Sequence, residues 1–120
     1  MATSSPVIIE VEVVWDKERI EEEILKVSEK YGVSYNQMYN TIKCESGFDI
    51  DIQSHHTLSY GREQSFGLAQ FHIPSRNRTA SGTVITKEMA LDPAIALDAM
   101  AYHFSIGNAK AWTCWRKLYL

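Results

Sequence analysis

Residues 42–70, IKCESGFDIDIQSHHTLSYGREQSFGLAQ, mark the place where this chain stops reading as helix. Up to Ser46, apolar residues recur at helical spacing. From residue 48 to residue 86 that period is lost and turn formers take over, among them Asp49, Asp51, Ser54, Ser59, Gly61, Gly67, Pro74 and Gly82. Helical periodicity returns near residue 87. A loop-rich stretch of this length inside a compact domain is usually functional or mobile. At 120 residues the chain is expected to form one domain, burying roughly two thirds of its unfolded surface. The expected fold is mainly α, within the α+β class. About five helices surround a loop or short β-hairpin insertion, near residues 58–72, that lines a cleft.

The flanking segments carry explicit helix signals. Asp16 precedes KERIEEEILKVSEKY, in which Ile20, Ile24, Val27 and Tyr31 share one stripe and Gly32 marks the end. The glutamates at 21–23 are read as a solvated face. Ser34 with Gln37 three residues later fits a capping box. It opens a second helix with Tyr35, Met38, Ile42 and Glu45 on one stripe, stopped by Gly47. Beyond the loops, Thr86 is read as the cap of a short helix, KEMAL. Asp92-Pro93 starts a longer one, with Ile95, Ala99, Tyr102 and Ile106 on its inner stripe and Gly107 at its end. Asn108 is read as the cap of a last helix, AKAWTCWRKLYL. Residues 1–15 are different. Ile9, Val11, Val13 and Trp15 alternate with Glu10 and Glu12, which predicts a strand or extended arm ahead of a domain at 16–120.

Composition excludes several classes. The net charge of −3 gives no basic field for nucleic acid. No run approaches the ~18 apolar residues of a membrane span. The N-terminal stretch lacks a basic region and is broken by Glu10 and Glu12, so no signal peptide is visible in it. The four histidines lack ligand spacing; His55, His56, His72 and His103 are read as surface or cleft residues, with no metal site and no cofactor. Trp112, Trp115 and Tyr119 are read as core, Asp49 and Asp51 as turn formers. Tyr60, in the loop, is the better candidate for stacking on a bound ring.

One residue stands out chemically. Glu45 continues an apolar stripe at a helix C-terminus. Desolvation and the negative end of the helix dipole both disfavour a carboxylate there, and both raise its pKa. The alternative is that the side chain tips into solvent.

Two short motifs add a resemblance. Glu-Ser-Gly-Phe-Asp (45–49), followed by a serine-bearing turn into Gly-Leu-Ala-Gln (67–70), resembles the soluble lytic transglycosylase family over roughly residues 18–118. Cys44 beside the glutamate, with Trp-Thr-Cys at 112–114, is similar to resuscitation-promoting-factor-like muralytic domains. The resemblance implies a lysozyme-like fold that cleaves peptidoglycan glycan strands, an extracytoplasmic location and a monomer. It makes Glu45 the catalytic acid. It places Ser65, Gly67 and Gln70 against the sugar, with Tyr102 as the source of an active-site hydroxyl. It also implies a disulfide between Cys44 and Cys114; two buried free thiols are the alternative. Ala69 stands where the family has methionine, and the family's later Ala-Tyr-Asn-Ala-Gly motif is absent, the nearest text being Ala101-Tyr102-His103.

Glycosidases usually use two carboxylates, yet only Glu45 lies on an apolar stripe. A lone acid suffices where the substrate supplies the second group, as the acetamido carbonyl of N-acetylmuramic acid does. Two alternatives remain open. A lysozyme-like hydrolase would need a base, for which Glu63 is the loop acid in a suitable stretch. A glycan-binding module would keep the fold without turnover.

Overall fold

The computed structural model describes residues 14–59 and 61–120. The arm expected at 1–15 therefore lies outside the described residues, apart from Val14 and Trp15. Over the described residues the chain is mainly helical, with five α-helices and two small antiparallel hairpins. The helices are α1 (Lys17–Tyr31), α2 (Tyr35–Ser46), α3 (Lys87–Leu91), α4 (Pro93–Ser105) and α5 (Thr113–Tyr119). None of them is long and apolar enough to cross a membrane.

Local signals set the helix starts. Asp16, Ser34, Thr86 and Asp92 each present a side-chain oxygen that accepts from the backbone N–H three residues on, satisfying a donor the helix leaves orphaned. Gly32 and Gly47 take the left-handed conformation after α1 and α2. The second half of the expected capping box is not formed. The Gln37 Oε1 accepts from the indole N–H of Trp115 instead, so its side chain joins α2 to α5.

The core lies along α4, whose Ala96, Leu97, Ala99, Met100 and Ala101 are all buried. This corrects the stripe expected for α4. Ile95 and Ile106 are exposed, because a helix flanked by neighbours on several sides has no single inner face. α4 packs on α1, α1 on α2 and α2 on α5. A second correction concerns the glutamates of α1. Glu23 is buried and takes the Arg19 guanidinium at 2.9 Å. Its position, three residues after Ile20, places it inside the apolar stripe rather than on the solvated face.

The last helix is shorter than expected. Ala109–Ala111 form a single 3₁₀ turn, Trp112 is extended (φ −88°, ψ 122°), and α5 begins at Thr113. The break lets the Trp112 ring enter the core between Phe71 and Phe104, at 5.6 and 5.4 Å between ring centres. Its indole N–H donates to the Ala69 carbonyl at 2.7 Å. Trp112 thus fastens the Gly-Leu-Ala-Gln segment to the C-terminal helix, as a core residue.

The insertion is two hairpins, β1 (Thr57–Leu58) with β2 (Gly61–Arg62), and β3 (Ser65–Phe66) with β4 (Phe71–His72). Residues 52–54 run antiparallel beside β3: Gln53 bridges Phe66, the Ser54 N–H donates to Ser65 and the Gly67 N–H to Ile52. The segment that looked like irregular loop is therefore tied down by a backbone ladder.

Candidate active site

Glu45 lies in the last turn of α2, and the chain reverses directly after it. Gly47 and Phe48 are both left-handed, with φ of 59° and 66°. For phenylalanine this conformation costs about 1 kcal/mol or more. Its ring is held by Tyr39, 5.0 Å away. The turn sends the chain into residues 52–54, beneath which β3 and β4 form. Glu45, Ser65 and Gln70 meet at one polar cavity of about 220 Å³, together with Ser54, Glu63 and His72.

Among the described residues, the half-buried Glu45 has one hydrogen-bond partner. Its Oε1 accepts from the Cys114 backbone N–H at 3.0 Å. Cys114 is disulfide-bonded to Cys44, with 5.9 Å between the Cα atoms and 70 residues between the two positions. The residue before the acid and the amide that holds the acid are thus covalently joined. Burial pushes the Glu45 carboxyl above its ordinary value, the Cys114 N–H opposes this, and the negative charge of Glu63 adds to the rise. Lys117 and Arg116 pull weakly the other way. An acid buried beside a second carboxylate keeps its proton to higher pH than a free one, the direction that proton donation requires.

The remaining expected residues fall into two groups. Ser65 is buried at the cavity wall, and its hydroxyl donates to Glu63 at 3.0 Å. Gln70 also lines the cavity, in a left-handed conformation (φ 51°) that glutamine seldom adopts. Its amide nitrogen donates to the Gly67 and Ile52 carbonyls at 2.8 and 3.2 Å, so the side chain caps its own turn and the neighbouring strand. Gly67 does not line this cavity. It is required because the backbone there, at φ 75°, abuts α3: a Cβ would lie 2.0 Å from the Ala90 carbonyl oxygen. Tyr102 is also away from it, packed edge-on against Tyr31 of α1 at 6.0 Å. Tyr60 lies outside the described residues.

Ser54 and Glu63 are the cavity-lining positions that periodicity missed or undervalued. Their pairing depends on a strand register that no local pattern encodes. His103 corrects another expectation. It is buried, its Nε2 donates to the Arg78 carbonyl at 2.8 Å and its Nδ1 accepts from Asn108 at 3.1 Å. It is a core histidine that ties the 75–84 loop to α4, and it occupies the Asn108 side chain that was expected to cap the last helix. His72 does line the cavity. Among the described residues no group of three or more histidine, cysteine or acidic side chains is placed to hold a metal.

Compared with known proteins, the chain matches no family model, no curated protein and no solved structure. The site has to be judged on its own geometry.

Proposed function

We propose that the chain is a peptidoglycan lytic transglycosylase with a lysozyme-like fold, in which Glu45 is the single proton-transfer acid. What supports this most is the setting of Glu45. It is a half-buried carboxyl with a raised pKa, facing a cavity lined by hydrogen-bonding side chains such as Ser54, Glu63, Ser65 and Asn77 together with the apolar Phe71 and Trp112. The Glu-Ser-Gly-Phe-Asp and Gly-Leu-Ala-Gln motifs support it as well, since both meet at that cavity through Glu45 and Gln70.

In the proposed mechanism Glu45 protonates the glycosidic oxygen between N-acetylmuramic acid and N-acetylglucosamine. The bond to C1 breaks, and the acetamido carbonyl of the same sugar stabilises the positive centre. Glu45, now a carboxylate, takes the proton of the C6 hydroxyl as that oxygen closes on C1. The product is a 1,6-anhydro ring, and no water is consumed. Ser65 and Gln70 orient the sugar without transferring protons. The disulfide favours an oxidising compartment, which agrees with a substrate outside the cytoplasmic membrane.

Mass spectrometry of digested cell walls tests this directly. Anhydro-ended fragments are expected from the wild-type protein. Binding to the walls with no fragments released would instead indicate a glycan-binding module.

A further inference from the structure

A second carboxylate faces the same cavity, and its supports are unusually complete for a loop residue. Glu63 sits between β2 and β3. Its backbone N–H donates to the His56 carbonyl at 2.8 Å, and its own carbonyl accepts from the Gln53 side chain at 3.2 Å. Its two carboxylate oxygens accept from two hydroxyls, Oε2 from Ser54 at 2.9 Å and Oε1 from Ser65 at 3.0 Å. The serines belong to adjacent extended segments joined by the Ser54–Ser65 backbone bond of 2.9 Å. Four hydrogen bonds therefore fix this residue, two of them on its half-buried carboxylate, at the wall of the cavity that Glu45 also lines.

A carboxylate that only tied two serines together would do the same work anywhere on the hairpin. This one is placed where its charge acts on Glu45. Each of its oxygens also keeps acceptor capacity beyond the one hydroxyl it receives. We propose that Glu63 is a general base for water, giving the site a hydrolytic outcome beside ring closure; this rests on Glu45 being the glycan-cleaving acid. The two carboxyl groups then divide the roles that inverting glycosidases assign to an acid and a base. Glu45 gives its proton to the leaving glycosidic oxygen as the bond to C1 breaks. A water oxygen bonds to C1, and Glu63 takes the proton that the water loses. The net change is one water added, leaving a reducing N-acetylmuramic acid end. Exchange with solvent then returns the proton to Glu45 and frees Glu63. The identity of the acceptor, water or the C6 hydroxyl, is set by which carboxylate receives the proton.

The ratio of reducing to anhydro ends in a cell-wall digest tests this, since the two differ by one water. Wild-type protein is expected to give both. Glu63→Gln is expected to lower the ratio at least tenfold, because positioned acid–base groups typically contribute 10²–10⁴-fold. Both kinds of end at an unaltered ratio in Glu63→Gln would overturn the proposal. So would anhydro ends alone from the wild type, which would leave the transglycosylase assignment standing. Reducing ends alone, lost in Glu63→Gln, would uphold Glu63 and overturn ring closure. No cleavage by the wild type overturns both. If Glu63→Gln yields no product of either kind, Ser54→Ala decides. It keeps the carboxylate but removes one of its two donors, and a ratio unmoved there rejects the role.

Discussion

Glu45 and Glu63 reach the same cavity by opposite routes. Glu45 stands at the end of a helix, half-buried, with one hydrogen bond from a backbone N–H that a disulfide holds in place. Glu63 stands between two hairpins and is held by two serine hydroxyls that strand pairing brings together. The first arrangement raises the pKa by removing water, and its one fixed donor is a backbone amide, not a second side chain. The second surrounds the carboxylate with donors. Two carboxyl groups in such unlike environments are the usual basis for separate acid and acceptor roles.

The largest effect should come from removing the acid itself. Glu45→Gln keeps the shape but has no carboxylic proton to give. Cell-wall turnover should fall by about 10²-fold or more, with both kinds of product lost together and the thermal midpoint little changed. A folded Glu45→Gln protein retaining more than about a tenth of wild-type turnover would reject Glu45 as the acid. That loss of all products contrasts with the change of ratio expected for Glu63→Gln.

The disulfide acts on the Glu45 side of the comparison alone. A closed loop of 70 residues gives a chain-entropy contribution of about 4 kcal/mol. Replacing both cysteines by serine should cost about that much in denaturant unfolding and should slow turnover as well, since the amide that holds Glu45 belongs to Cys114. Alkylation of the unreduced, denatured protein should add nothing to its mass; two added groups would show free thiols.

On the Glu63 side the vulnerable point is backbone. Gly67→Ala places a methyl 2.0 Å from the Ala90 carbonyl oxygen, at φ 75°. A loss of about 3 kcal/mol is expected from overpacking and the left-handed conformation together. Gly82→Ala is the control. Its φ of 90° is equally left-handed, but nothing lies within 4 Å of the added atom, so only about 1–2 kcal/mol is expected. Equal losses in the two variants would show that the contact with α3 is not what requires glycine.

Much of the helical frame was legible because its signals are local. Asp16, Ser34, Thr86 and Asp92 act on amides three residues away, and Gly32 and Gly47 act on their own φ. The half-buried position of Glu45 was legible for a similar reason, since it lies at a fixed spacing from Met38 and Ile42. What could not be read depends on contacts distant in sequence. Trp112 leaves its helix because the Ala69 carbonyl, 43 residues earlier, needs a donor. His103 is buried by a loop carbonyl 25 residues away. The pairing of Glu63 with Ser54 depends on strand register, and the need for glycine at 67 comes from the close approach of α3.

The smallest expected effect tests the electrostatic link between the two carboxylates. Glu45 must be protonated to act as an acid, so kcat/KM should fall as pH rises through its pKa, which lies above the ordinary 4.5. The charged groups around it have defined signs: burial and Glu63 raise the value, and the Cys114 N–H, Lys117 and Arg116 lower it. His72 lines the same cavity. Glu63→Gln removes a negative neighbour and should move the alkaline limb to lower pH. Lys117→Met removes a positive one and should move it to higher pH. Stability carries the same sign. A carboxyl with a raised pKa in the folded state contributes fully below the ordinary value, and that contribution is lost as pH rises through the raised value. Glu45→Gln should therefore flatten this part of the stability profile. Limbs that move in the same direction in Glu63→Gln and Lys117→Met would show that the titrating group is not Glu45.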